Sequence, residues 1–83
     1  MTNDQIENFL SKKHLNESQV RISFKNRNPV VGLFIQTGDY IELKSKNLWR
    51  IVSETNIEEY KKTKDTNLAR IFNGIDFTRL GLL

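Results

Sequence analysis

Residues 40–50 concentrate the kinds of side chain that bind single-stranded RNA. Aromatic rings and guanidinium planes stack on bases, amides read base edges, and lysines contact phosphates. The segment contains Tyr40, Lys44, Lys46, Asn47, Trp49 and Arg50. A structural alternative is that the tryptophan fills the core or a subunit contact, while the two lysines keep a turn hydrated. The segment therefore predicts either an RNA-contacting loop or an ordinary loop beside a buried ring.

The rest of the chain offers little chemistry for an enzyme. It has no cysteine and a single histidine, His14, which excludes a disulfide framework and Cys/His zinc sites. The adjacent Glu58 and Glu59 stand among lysines, a pattern more typical of a solvated charged face than of a cation site. The four glycines are isolated from one another, so no glycine-rich phosphate loop is present. We expect a protein that is not an enzyme and uses no metal, cofactor or small-molecule substrate.

Length and composition indicate one small, basic domain. The chain has 83 residues, a formal net charge of +3 and 37% hydrophobic residues. Ordering that many residues costs on the order of 120 kcal/mol, which so few apolar side chains barely offset. Association with further copies is the source of stability that remains. The longest apolar run, residues 30–35, is too short to span a bilayer, so we expect a cytoplasmic protein without a membrane partner.

An N-terminal helix is the first element that must position these side chains. Thr2 and Gln5 fit a capping box, and the helix is expected over about residues 3–14, packed across a sheet. Alternation over residues 20–24 predicts a half-buried strand. The apolar run at residues 30–35 predicts a second strand that is buried on both faces.

The middle of the chain predicts further short elements. Period-two alternation favours a strand at residues 40–44, and β-rich residues favour another at 48–52. Residues 54–67 fit either a short helix or a strand extension that ends in a charged loop. That choice stays open.

The C-terminal segment predicts two strands, at residues 68–72 and 75–80. Asn73-Gly74 joins them and favours a tight hairpin turn. A helix and about five short strands are too few for a sandwich, which needs roughly 100 residues. We expect a mainly β fold, namely a small, strongly bent open barrel of five strands with an N-terminal α-helix.

Two short motifs resemble those of Sm-like proteins, the family of LSm and Hfq. Residues 20–24, Val-Arg-Ile-Ser-Phe, followed by a turn and Val31-Gly32, are similar to the family's first motif. Residues 71–77, Ile-Phe-Asn-Gly-Ile-Asp-Phe, are similar to its second motif. The resemblance covers nearly the whole chain and implies one Sm-like domain over residues 1–83, with the barrel at about 19–82.

The resemblance also implies where RNA would bind. In the family, the loop between the second and third strands and the second-motif turn bind uracil or adenine in a central pore. Asn47 resembles the loop asparagine, although Ser45 stands where the family usually has a stacking aromatic residue or histidine, and Asn73 replaces the usual arginine of the turn. A second register would align Asp39-Tyr40 with the family's loop aspartate and aromatic residue. The implied RNA-binding residues are Tyr40, Lys46, Asn47, Asn73 and Gly74.

The same resemblance implies a homo-oligomeric ring of roughly five to seven copies. In the family, the fourth strand of one subunit pairs with the fifth strand of the next, and the apolar end of this chain has little charge to prevent such pairing. The expected interface residues are Ile71, Phe72, Ile75 and Phe77. The alternative function is a small β-barrel that serves as a structural or protein-interaction module and does not bind RNA.

Overall fold

The computed structural model describes residues 1–12 and 14–83, which form three α-helices and five strands. The helices are α1 (Asn3–Leu10), α2 (Tyr40–Ser45) and α3 (Glu54–Thr63). The strands are β1 (Val20–Phe24), β2 (Val30–Phe34), β3 (Leu48–Ser53), β4 (Ala69–Asn73) and β5 (Phe77–Leu82). Short 3₁₀ turns precede and follow β4, at Thr66–Leu68 and Gly74–Asp76. None of the described helices is long and apolar enough to cross a membrane.

All five strands join one antiparallel sheet in the order β4-β3-β2-β1-β5. The strands account for about a third of the chain. The expected five-stranded fold with an N-terminal helix is therefore confirmed. The sheet is open, because β4 and β5 lie at its two edges.

The sheet is also strongly bent. Two strands separate β1 from β4, and in a flat sheet three strand spacings would amount to about 14 Å. The ring centres of Phe24 in β1 and Phe72 in β4 are only 5.9 Å apart. The sheet must curl to bring these rings together, as the small-barrel prediction requires.

The concave face of the sheet holds the larger of the two hydrophobic clusters in the described chain. Phe34, Trp49 and Phe77 fill it, with exposed fractions of 1%, 2% and 1%. Phe34 contacts the other two rings edge-on, at centroid distances of 6.1 and 6.4 Å. Ile6 and Leu10 of α1 pack against this cluster, so the N-terminal helix completes the core.

The opposite face of β2 and β3 packs against α3. Leu33, Ile35 and Val52 are buried there together with Ile57 of the helix. Because Phe34 belongs to the concave cluster and its two neighbours belong to this one, the run at residues 30–35 is buried on both faces. That prediction is confirmed.

The start of α1 follows the predicted capping box. The Gln5 amide donates to the Thr2 hydroxyl oxygen at 3.2 Å, and the Thr2 amide donates to the Gln5 side-chain oxygen at 3.0 Å. The helix ends at Leu10, earlier than the expected residue 14. The expected range also includes Lys13, which lies outside the described residues.

The strand expected at residues 40–44 is wrong, because this segment forms α2. The alternation of apolar and polar residues predicted a strand with one buried face, but Ile41 is 72% exposed and takes no part in a core. In a helix, Tyr40 and Lys44 lie one turn apart on the same face. Both contact the rest of the fold from that face, as described below.

The open choice at residues 54–67 resolves in favour of a helix. Helix α3 begins after Ser53, and its C-terminal cap, Lys64, takes a left-handed φ of 57°. One buried residue, Ile57, ties this short helix to the sheet.

The tight hairpin expected at Asn73-Gly74 is also wrong. Strands β4 and β5 pair with β3 and β1 at opposite edges of the sheet, and a 3₁₀ turn carries the chain between them. A type I′ hairpin turn needs positive φ at both central residues. Neither Asn73 nor Gly74 has one. Instead the Asn73 side chain accepts a hydrogen bond from the Ile75 amide at 3.1 Å, which stabilises the 3₁₀ turn.

Candidate nucleic-acid interface

The structure brings together two of the predicted RNA-binding positions that are distant in sequence, Asn47 and Gly74. The Gly74 amide donates to the Asn47 carbonyl oxygen at 2.8 Å. A Cβ at position 74 would overlap the Asn47 side chain and lie 2.5 Å from the terminal methyl carbon of Ile6. Glycine is therefore needed here for close packing, and the contact fixes the loop after α2 against the turn after β4.

The side chain of Asn47 is occupied within the chain. Its Nδ2 donates to the Met1 carbonyl oxygen and its Oδ1 accepts from Nε1 of Trp49, both at 2.9 Å. The residue has a left-handed φ of 60°, a conformation that asparagine tolerates better than most residues. The geometry thus gives Asn47 a positioning role at the base of the loop. Direct base recognition by Asn47 stays a prediction, and it would require one of these bonds to break.

Tyr40 and Lys44 join α2 to α1 and to the core. The Tyr40 ring lies 6.0 Å from the Trp49 ring, and Nζ of Lys44 lies 5.6 Å from the Tyr40 ring centre. The Lys44 ammonium donates to the Glu7 carboxylate, which raises the pKa of Lys44. Burial raises the pKa of the Tyr40 phenol. The charge of Lys44 is therefore neutralised locally, and the half-buried Tyr40 offers only part of its surface to a ligand.

Lys46 is the exposed cation of this loop. Its ammonium lies 3.7 Å from the Glu42 carboxylate, one helical turn away, and both side chains are more than half exposed. An exposed pair of this kind is worth little and exchanges easily with other partners. Asn73, across the Asn47–Gly74 contact, is exposed as well. Of the predicted RNA-binding residues, Lys46 and Asn73 are those whose side chains are exposed to a bound RNA strand.

Asp39 and Arg50 form an ion pair that the sequence did not reveal. The Arg50 guanidinium donates from Nη2 at 2.7 Å and from Nε at 3.3 Å to the two carboxylate oxygens. The Thr37 hydroxyl also donates to Asp39. These donors lower the pKa of Asp39 from 3.8 to about 2. The pair fastens the start of α2 to β3, so Arg50 belongs to the support of the loop.

We expect this pair to give the fold an acid-sensitive component. A carboxyl group with a lowered pKa stabilises the folded state above its unfolded pKa, and the contribution disappears as the pH falls through the folded pKa. The stability advantage of the wild type over Asp39→Asn should therefore shrink between about pH 4 and pH 2. Urea unfolding of both proteins across this range is the measurement. Glu58→Gln, an exposed carboxyl on α3, is the control, and a constant Asp39→Asn difference would contradict the assignment.

The four expected interface residues separate into exposed and buried groups. Ile71, in the middle of β4, is 48% exposed, and Ile75, in the 3₁₀ turn that follows, is 58% exposed. Phe72 is half-buried against the concave core. Phe77 is only 1% exposed and packs in the concave core, and its expected interface role stays a prediction. An interface through Ile71 and Ile75 stays a prediction.

A further group of aromatic and cationic side chains lies outside the predicted site. Arg27, in the turn between β1 and β2, stands over the rings of Phe24 and Phe72. No local sequence pattern predicts this cluster, because β1 and β4 meet only through the curvature of the sheet. Elsewhere in residues 1–12 and 14–83, no three carboxylate or histidine groups gather closely enough to hold a metal ion.

No family model, curated protein or solved structure matches the chain. Function must therefore be argued from the fold and from the surfaces described above.

Proposed function

We propose that the chain is an Sm-like protein that forms a homo-oligomeric ring and binds single-stranded RNA. The observation that carries this proposal is the strand order, which leaves β4 and β5 at the two edges of an open sheet. These are the strands through which the family's subunits pair. The N-terminal helix and the bent five-stranded sheet also agree with the family resemblance.

The edges of the sheet favour assembly. Each edge strand pairs on one side only, so its outer backbone amides and carbonyls lack strand partners within the described chain. Such edges invite pairing with another chain. A contact between the β4 edge of one copy and the β5 edge of another is head-to-tail, and such contacts form a ring when the rotation closes. The exposed side chains of Ile71 and Ile75 would be covered by this pairing.

The corner at Asn47 and Gly74 supports RNA binding. It presents Lys46 and Asn73 on a rigid base, and a ring repeats that corner in every subunit. The formal charge of +3 per chain adds up with each copy. Weak contacts at each corner can then give useful overall affinity, because a strand engages several of them at once.

The RNA-binding proposal predicts the effect of Lys46→Ala. Loss of one phosphate contact per subunit should weaken binding of oligo(U) and oligo(A) to a similar degree, and each lost contact should lower the slope of log affinity against log salt by about 0.7. Fluorescence anisotropy with labelled oligo(U) and oligo(A), repeated at increasing salt, measures both effects. Lys62→Ala, an exposed lysine in α3, removes the same charge elsewhere. Asn47→Ala is unsuitable as a probe, because it also removes the bond to Trp49. Equal affinity in the wild type and Lys46→Ala would refute the corner as an RNA site.

A protein-interaction module is the second candidate function. Ile41, Leu82 and Leu83 are 72%, 54% and 70% exposed and lie away from the β4 edge. The side-chain amide of Asn47 is also hydrogen-bonded within the fold, to Met1 and Trp49. Salt-insensitive binding to another protein, without binding of either oligonucleotide, would favour this candidate.

A further inference from the structure

The Arg27 cleft is formed by the turn after β1 and by the end of β4. The guanidinium carbon of Arg27 lies 5.1 Å from the ring centre of Phe24 and 5.9 Å from that of Phe72. Both distances are within the range of cation–π attraction, about 6 Å. Phe77 supports Phe24 edge-on from the core, at 5.3 Å. The cleft thus has a fixed aromatic wall and a planar cation at its entrance.

The cleft is small and has a polar rim. Its volume is about 200 Å³, below the roughly 300 to 1,000 Å³ of pockets that hold a whole small molecule. Lys25, Asn73 and Asp76 line the rim. Oδ1 of Asn73 accepts the Ile75 amide, whereas its Nδ2 has no partner in the described part of the chain. The cleft therefore suits one flat, polar-edged group that belongs to a longer ligand.

Lys25 directly follows β1 and lines the cleft rim. Arg21 lies on the outer face of β1, opposite the side chain of Phe24, since alternate residues of a strand share a face. Arg79 stands opposite Ser23 in the β1–β5 ladder, and a shallow groove runs between Arg21, Ser23 and Arg79. All three cations are exposed, and among the residues described none forms an ion pair. Lys25 is therefore the cation placed to bind a phosphate next to the cleft, whereas Arg21 and Arg79 form a separate basic strip on the outer face of the sheet.

We propose that the Arg27 cleft holds one base of a single strand while Lys25 on its rim binds the adjoining phosphate. The base stacks on the free face of the guanidinium, whose other face lies over the phenylalanine rings, and Asn73 and Asp76 supply a donor and an acceptor for its edge. Stacking next to cations is how proteins bind single strands with little sequence preference. This inference rests on the proposed function of RNA binding, but it adds contacts beyond the corner of Lys46, with which the cleft shares Asn73.

The test compares two substitutions of Arg27 in anisotropy titrations with labelled 12-nucleotide oligo(U) and oligo(A). Arg27→Ala should weaken binding about 5- to 100-fold, the range expected for one lost stacked base. Arg27→Lys keeps the charge but lacks the planar group, so it should lose most of that affinity. Lys62→Ala is the matched control. Lys25→Ala should reduce the slope of log affinity against log salt by about 0.7, as expected for one phosphate contact to a single strand.

Photocrosslinking of the wild type gives an independent measurement. A 12-nucleotide strand that carries 4-thiouridine should crosslink to peptides that contain Phe24 or Phe72. Crosslinks confined to the Lys46 loop, together with wild-type affinity in Arg27→Ala and Lys25→Ala, would overturn the cleft and leave the proposed function intact. Failure of the wild type to bind either oligonucleotide would overturn both.

Discussion

In size-exclusion chromatography with light scattering, the wild type should elute at roughly five to seven times its chain mass of 9.7 kDa. Ile71→Lys should reduce it to monomers. Ile71 is 48% exposed on the edge strand β4, so lysine is tolerated by the single chain. At a seam between edges, however, lysine opposes pairing, and natural proteins use it there for that purpose.

Ile41→Lys is the matched control for this prediction. Ile41 is 72% exposed on α2 and belongs to neither edge strand, so the same substitution should leave the assembly unchanged. A folded wild-type monomer of 9.7 kDa would refute the ring and remove the main support for the Sm-like proposal. Loss of assembly in both variants would show that solubility, and not the β4 edge, controls association.

The sequence predicts the strands well where burial controls the pattern. The strand at residues 20–24 packs on one face and the run at residues 30–35 packs against both clusters, so each apolar side chain there has one possible direction. The capping box of Thr2 and Gln5 was equally readable, because both hydrogen bonds form within three residues. Local rules suffice when every partner is close in sequence.

The elements around the site were harder to predict because their partners are distant. Tyr40 and Lys44 lie one helical turn apart, where Tyr40 packs against Trp49 and Lys44 donates to Glu7. Asn73-Gly74 resembles a hairpin turn. The Gly74 amide, however, donates to the carbonyl oxygen of Asn47, 27 positions earlier, and the chain continues to the other edge of the sheet. Tertiary contacts override local propensity at both places.

The same difference between local and distant partners explains which features of the site the sequence predicts. The Sm-like resemblance implied that Asn47 and Gly74 both bind RNA, and in the structure the two residues are in contact. The motifs did not show that the Asn47 amide is occupied by Met1 and Trp49. The Arg27 cleft has no sequence signal, since its aromatic wall comes from strands 48 residues apart that meet only when the sheet curls.

Phe77→Asp should unfold the chain. Phe77 contacts Phe24 and Phe34 at ring distances of 5.3 and 6.4 Å and is 1% exposed. Loss of a buried phenylalanine alone costs about 3 to 5 kcal/mol, and an unpaired buried carboxylate adds to that cost. A small domain has only about 5 to 15 kcal/mol of stability to lose. Circular dichroism at 25 °C should show the spectrum of an unfolded chain.

Thr78→Asp is the control, because it introduces the same charge at the next position, where the side chain is exposed. This variant should melt within a few degrees of the wild type. Phe77→Leu should fold with reduced stability, since leucine keeps the site apolar but leaves part of the ring volume empty. If Phe77→Asp instead yields a folded monomer, the phenylalanine acts at a subunit seam, and the core position described here is not the one that the assembled protein uses.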